Sequence, residues 1–361
     1  LRRSAQIEDR AAPRPFVANW HNPPLDPAFR RFVMTSSRSS LISGLLAVLA
    51  GSFVAAPAAA QAQAYPTKSL RLIVPFPPAG ATDILSRELA RQLGERLKQQ
   101  VIVDNRPGAG GTLGSDLTAK AAPDGYTIQM ATSSTHSIGP ALNPKIPYNA
   151  QADFTPVAHV ADSVNVLLVA PNVKAGNVPE LVALLKSRPG QYNYGSSGNG
   201  TIVHLTAELF KSMTGTYVVH IPYRGTALVI PDMIAGQIHL LFDNIASALP
   251  HLKEGKLRAL GVTSTQRSPL LPDVPPVAAS VPGFESVTWF GVFGPRGMPA
   301  EAVNRLNAEI NAVLKSPDFQ QRLRTLGYDA AGGSPADFAR VVQRDRDKWA
   351  ALIRERRITI E

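Results

Sequence analysis

From Tyr65 onward, short runs of branched apolar residues alternate with longer stretches whose apolar residues recur every three or four positions. No other feature constrains the fold as tightly. LRLIV (70–74) has the composition of a buried strand, and TDILSRELARQLGERL (82–97) places Leu85, Leu89, Leu93 and Leu97 on one helical face. The same reading predicts strands at 70–75, 101–104, 126–131, 165–170, 192–195, 218–221, 238–242, 257–262 and 287–293. It predicts helices at 82–97, near 112–121, at 179–187, 201–213, near 227–235, at 246–253, 299–315 and 335–357. Strands separated by helices specify an α/β fold with mostly parallel sheets. Two sets of strands imply two lobes, with 165–170 and 287–293 as the candidate crossings between them.

In such folds ligands lie beyond the carboxyl ends of the strands. Helix N-termini there offer unpaired N–H groups and a partial positive charge, so they hold anions without a formal countercharge. Three strand-to-loop junctions fit. PFPPAGATD (75–83) is an uncharged turn stiffened by prolines, in which Gly80 permits close approach and Thr82 or Asp83 is placed to cap the following helix. TSSTHS (132–137) is a polar loop directly after a strand. YGSSGNGT (194–201) combines hydroxyls and bare amides ahead of a helix opened by Thr201. Asp243 ends a strand in FDN (242–244), where it is placed to accept hydrogen bonds from a ligand or to cap the next helix. Arg224, in PYRG (222–225), is a further candidate to face an anion, against the plainer role of a surface or ion-pair residue.

Other chemistries find little support. GAGGTLG (108–114) is spaced G-x-G-x-x-x-G and is separated from its strand by Arg106-Pro107, so it is a poor dinucleotide fingerprint. Ser197, His204 and Asp243 are the residue types of a hydrolase triad, but GSSGN lacks the second Gly of a nucleophile elbow. His204 shares a helix with Leu205 and Leu209, which suits a core or hinge histidine. No histidine spacing suggests a metal site, there is no Cys to supply a thiolate, and no cofactor is implied. Beyond residue 64 the chain holds 30 Lys+Arg and 24 Asp+Glu, a scattered excess of +6 without aromatic-interleaved basic runs, so nucleic acid is not an expected partner.

The N-terminal segment carries a different message. Met34-TSSR precedes the apolar run LISGLLAVLAGSFVAA (41–56) and the small-residue stretch PAAAQAQA (57–64). The run falls short of the ~20 residues that span a bilayer. A basic start, an apolar middle and an A-x-A pattern make 34–64 an expected secretory signal peptide, cleaved after Ala60, Ala62 or Ala64. Residues 1–33, rich in Arg and Pro, are expected to be a non-native or upstream leader.

Taken together, YPTKSLRLIVPFPPAGATD, VDNRPGAGGTLG, KAAPDGYT, DFTPVA, YGSSGNGTIVHLTAELF, IPYRGTA, GQIHLLFDN, GKLRALGVT and WFGVFGP run in order over roughly residues 65–361. The chain thereby resembles the Bug receptors, the extracytoplasmic solute-binding proteins of tripartite tricarboxylate transporters. The resemblance implies a two-lobed Venus-flytrap of the type II periplasmic-binding-protein class, with no enzymatic activity. It implies a small carboxylate ligand, permease subunits as partners, a periplasmic location and a monomeric state. Lobe one would comprise 65–164 plus 290–361, and lobe two 165–289. Carried over by motif, the ligand contacts would be Pro78, Ala79, Gly80, Ser133, Ser134, Thr135, Ser197, Gly198, Thr201 and Asp243. The chain departs from the family pattern at Ala79, where a Gly is common, and at Leu228, where a Pro is common, so the ligand is not borrowed from any relative. Presentation to a sensor kinase and a periplasmic hydrolase on the same scaffold are the alternative functions.

Overall fold

The computed structural model describes residues 65–359; the expected leader and signal peptide fall outside the described residues. The chain opens with β1 (Leu70–Val74), α1 (Ala81–Leu97), β2 (Val101–Asn105), α2 (Thr112–Ala119) and β3 (Thr127–Thr132). A π-helical turn, Ser134–Ile138, runs into α3 (Gly139–Leu142), and then comes the long strand β4 (Phe154–Val169). The middle of the chain is α4 (Val178–Ser187), β5 (Asn193–Ser196), α5 (Ile202–Thr214), β6 (Val219–Pro222), α6 (Val229–Ile234), β7 (Leu240–Asn244), α7 (Ile245–Lys253) and β8 (Arg258–Val262). β9 (Val287–Pro295), α8 (Ala300–Lys315), α9 (Pro317–Leu326), β10 (Asp329–Ala330) and α10 (Pro335–Arg356) complete it.

The strand order is β2-β1-β3-β9-β4-β7-β5-β6, with β8 and β10 also paired to β4. β2, β1 and β3 are mutually parallel, as are β7, β5 and β6. Between these two parallel sets run β9 and β4, antiparallel to their neighbours. β4 pairs with β9 from Phe154 to Val164, then with β7 from Asn165 to Val169. The chain thus leaves the first set along β4 and returns to it along β9.

Apolar periodicity explains the packing. Leu85, Leu89, Leu93 and Leu97 on α1 bury against Leu70, Leu72, Ile128 and Met130 of the sheet and against Leu306 and Ile310 of α8. In the other half, α4, α5 and the β7 strand close over Leu167, Val169 and Tyr194. α10 begins with a capping box, in which the Ser334 hydroxyl accepts from Asp337 N–H and the Asp337 carboxylate accepts from Ser334 N–H. Phe338 and Val342 of this helix pack beside Phe154 and Phe293, whereas Trp349 and Ile353 pack beside Val166, Leu168 and Leu241. One helix therefore serves the cores of both halves.

Several elements differ from the sequence expectation. The expected strand 165–170 is only the last third of β4. Pro156, His159, Asp162 and Ser163 weaken the strand signal ahead of it, and the pairing accommodates Pro156 by a register shift before Ala158. α9 was not expected, being short and strongly polar, nor was the two-residue β10. α1 opens at Ala81 with Gly80 as its N-cap, so neither Thr82 nor Asp83 caps it.

Candidate ligand-binding cleft

The carboxyl ends of both parallel sets meet at one cleft. On the first side, β1 runs through Pro75-Phe76-Pro77 into the N-terminus of α1, and Phe76, Gly80, Ala81 and Thr82 line the space. Thr132 and Ser134 join them from the loop after β3. On the second side stand Ser197 after β5, Ile202 and Val203 at the start of α5, Thr226 after β6, and Asp243 and Asn244 at the end of β7. Thr288 and Phe290 of β9 form the floor. The space among these residues is about 440 Å³, counting the part open to solvent.

Two features set its chemistry. First, the N-terminal turns of α1 and α5 both face it, and the leading N–H groups of a helix have no acceptor within the helix. Second, no cation lines it, and Asp243 is the sole titratable residue among those that do. Burial pushes the Asp243 carboxyl up to about 6, against hydrogen bonds from Ser247, Thr226 and Asn244 N–H that favour its ionised form. Its oxygens lie 2.7 Å from the Ser247 hydroxyl and 2.9 Å from Asn244 N.

The first turn is held by Asp83, at the third position of α1. Its carboxylate accepts from Ala79 N–H at 3.0 Å, from Arg87 at 2.9 Å and from the Asn105 amide at 2.9 Å. Burial would raise this carboxyl, but the bonds from Arg87, Ala79 N–H and Asn105 hold it below the ordinary value. Ala79 adopts a left-handed φ of 66°, which costs an L-residue about 1–2 kcal/mol. A glycine would sit there without strain. Gly80 itself has φ −79° and ψ 165°, open to any residue, so its smallness serves space rather than backbone conformation.

The second turn, Ser196 to Gly200, rests on two stacked imidazoles. The rings of His204 and His220 lie 4.2 Å apart. His220 Nε2 is 2.7 Å from the Ser196 hydroxyl, which also accepts from Gly198 N–H, and His204 Nδ1 accepts from Gly200 N–H at 3.2 Å. Burial holds His204 near 4 and His220 near 3, so both are neutral acceptors or donors at ordinary pH. His204 does not line the cleft with Ser197 and Asp243; it lines a separate space with Glu208, Lys211 and His220.

Of the ten expected contacts, the structure gathers Gly80, Ser134, Ser197 and Asp243 around the cleft. The other six stand behind or beside it. Pro78 and Ala79 are on the exposed side of the turn. Ser133 accepts from Trp289 N–H at 3.1 Å, and Thr135 closes its own loop by bonding the Thr132 backbone. Thr201 caps α5 and donates to the Gly198 carbonyl at 2.7 Å. Gly198 lines a neighbouring space at the mouth. Sequence reasoning missed Phe76, Thr226, Asn244 and Thr288. PYRG drew notice to Arg224 by its charge, whereas Thr226, two residues on, is the one that reaches the cleft.

The two sides touch across the cleft. The Ser134 hydroxyl accepts from Ile202 N–H of α5 at 3.0 Å. A Cβ on Gly225 would stand 2.5 Å from Pro77 Cδ, and one on Gly110 would stand 2.6 Å from the Asn199 carbonyl oxygen. GAGG (108–111) is thus a bare backbone surface for the second turn. The walls are as close as glycine permits.

Comparison with known proteins places this geometry. The family model described as "Tripartite tricarboxylate transporter family receptor" matches residues 85–358. The chain belongs to that receptor family. It is 36% identical to BugT of Bordetella pertussis over 324 residues, which is 89% of this chain and 98% of BugT. Among solved structures, R. palustris Rpa4515 with adipate shares 36% identity at a TM-score of 0.80, covering 82% of this chain and 99% of that one. MatC from Rhodopseudomonas palustris with bound malate shares 31% identity at a TM-score of 0.77, covering 80% and 100%. The receptor has the two-lobed fold of periplasmic binding proteins. It is a solute-binding protein, not an enzyme.

Proposed function

We propose that this receptor captures a small carboxylate in the cleft and hands it to the permease subunits of a tripartite tricarboxylate-type transporter. The observation that carries this is the convergence of two helix N-termini with the Ser134 and Ser197 hydroxyls on a space that no cation lines. Such a lining pairs an anion with neutral donors, and charge-assisted hydrogen bonds replace its water. Adipate in Rpa4515 and malate in MatC are ligands of the expected class.

We assign residues 65–164 and 290–361 to one lobe and 165–289 to the other. A ligand bonded to both favours the closed form, and closure is the state that a membrane partner reads. Gly80, Ser134, Ser197 and Asp243 are the proposed contacts, with Ser133, Thr135, Gly198 and Thr201 shaping the turns that carry them and Pro78 and Ala79 forming the outer side of the first turn. The receptor works as a monomer in the periplasm, exported by the segment 34–64.

The test is a thermal-melt screen of the chain from Tyr65 onward against mono-, di- and tricarboxylates, after unfolding and refolding to strip carried-over solute. A ligand at about 100 times its dissociation constant adds about 2.7 kcal/mol to native stability. A saturable shift for a carboxylate, lost in Gly80→Leu, is the expected result. A correctly refolded protein that responds to no carboxylate would overturn the proposal.

A further inference from the structure

The loop after β3 presents one side chain to the inner cleft and ties that residue's neighbours to the scaffold. Ser134 lines the cleft, and its hydroxyl accepts from Ile202 N–H, which leaves its own proton for a bound anion. Thr135 closes the loop on Thr132, and its carbonyl accepts from the Tyr148 hydroxyl at 2.8 Å. His136 is wedged among aromatic rings, stacked on Phe293 and edge-on to Phe154, with both centroids 4.4 Å away. Ser133 and Ser137 flank these residues and are fully buried. Behind them stands Asp345, half-buried near the middle of α10. Its carboxylate accepts from the Trp289 indole N–H at 2.8 Å, and the Trp289 backbone N–H donates to the Ser133 hydroxyl at 3.1 Å.

Burial pushes the Asp345 carboxyl above its ordinary value, while Ser137, Trp289 and Ser133 favour its ionised form. The Ser137 hydroxyl is buried and otherwise unpartnered. Asp345 forms no ion pair with a described residue, and Lys348, three residues on, is paired with Glu285 at 3.4 Å instead. An apolar side chain would fill the place without the desolvation cost, but it would not hold these donors. We infer that Asp345 is the positioning residue of the ligand-facing turn: it holds Ser133, through Trp289, and Ser137 from behind, so that Ser134 is presented to a bound carboxylate. Ser133 and Ser137 lie four residues apart and share one side of the turn, so fixing that side fixes the rotation of the turn and with it the direction of Ser134. Because α10 packs into both cores, the ligand-facing turn takes its bearing from a helix common to the two halves. The effect on affinity rests on the carboxylate-binding function proposed above, whereas the hold on the turn does not.

The experiment measures affinity and turn order side by side on the refolded chain. The calorimetric probe is whichever of acetate, succinate, glutarate and citrate binds most tightly. Asp345→Ala is expected to lose about tenfold in affinity, and Asp345→Asn, which keeps an acceptor for the indole, no more than about threefold. Trp289→Phe keeps most of the ring and removes the donor, so it should repeat the loss, and it stands in if Asp345→Ala does not fold. Ser134→Ala is expected to lose about tenfold by itself, and adding Asp345→Ala to it no more than about a further twofold, because both act on one contact. In the unliganded protein, amide hydrogen exchange over residues 132–138 should quicken in Asp345→Ala while the rest of the first half keeps its protection. Asp347→Asn, an exposed acid on the same helix, should change neither readout. Losses that add in the double variant, or unaltered exchange in the turn, would overturn the inference. A protein that binds no carboxylate fails the proposed function instead, and the exchange result alone then decides whether Asp345 holds the turn.

Discussion

Asp243 is the residue at which the cleft's chemistry is least neutral. It is fully buried at the end of β7, where its carboxyl keeps a proton up to about pH 6, whereas in the unfolded chain it would ionise near 3.8. The folded state therefore holds more protons through that window. The contribution of this group to stability is greatest below it and falls as pH rises from about 4 through 6. An anion in the cleft sharpens the effect, since an ionised Asp243 repels it and a protonated one can donate to it. The charged and titratable neighbours do not cancel this. Buried Tyr328 is itself raised by burial and by the nearby Asp243 and Asp83 charges, and Asp83 is engaged with Arg87. Carboxylate affinity is expected to weaken by up to about tenfold per pH unit above 6. Asp243→Asn should flatten that profile and, by removing a buried charge, raise stability at pH 7.5 by no more than about 2–3 kcal/mol. Titration calorimetry from pH 5.5 to 7.5 decides it, and a flat profile in the unaltered protein would rule out Asp243 as the sensing group.

At the scale of elements, the alternation of strands and helices was legible because long helices such as α1 keep a four-residue apolar spacing and the central parallel strands β1, β3 and β7 are short buried runs. The loops that carry ligand chemistry were legible as places, since they follow strands and lack charge. Which side chains enter the cleft was not. In a turn, neighbouring residues point in unrelated directions, so TSSTHS reads as six equivalent polar residues, although the π-helical turn aims Ser134 inward and holds Ser133 against Trp289 N–H. β4 was half hidden by its polar residues, and Thr288 was hidden because an antiparallel return strand carries no loop signal. Contacts between lobes leave still less trace, because they depend on backbone approach. Gly225 is the clearest case. Its φ of 163° is extended backbone that any residue adopts, so its smallness is needed only against Pro77 across the cleft. Gly225→Ala should therefore leave the unliganded protein as stable as before, or slightly more so through the lower entropy of its unfolded chain. It should weaken ligand binding about tenfold or more by holding the walls apart. Calorimetry paired with solution scattering tests this: unchanged affinity with full ligand-induced compaction would show that the Pro77 contact is not part of closure.

At the scale of the whole molecule, a receptor that opens and closes needs connections that bend without letting its halves separate. β4 and β9 supply two of these, and where they meet lies a buried polar cluster. The Asn165 amide oxygen accepts from Asn244 at 2.6 Å, Asn244 also donates to Thr288 at 3.0 Å, and Asn165 N–H donates to the Thr263 hydroxyl at 2.9 Å. Hydrogen bonds of this kind can re-form as strands pivot, whereas interlocked apolar side chains resist it. α10 is the third connection and differs in kind, since it is anchored by Phe338 in one core and Trp349 in the other. Trp349 is 1% exposed, so its truncation removes a large buried ring from the second core. Trp349→Ala is expected to cost about 3–5 kcal/mol. The more informative outcome concerns cooperativity. If α10 is what makes the halves unfold together, the variant should show two separated calorimetric transitions where the unaltered protein shows one, while Phe338→Ala should weaken the first half in the same manner. A single, uniformly lowered transition in both variants would mean that β4 and β9 suffice to couple the lobes and that α10 is only packed upon them.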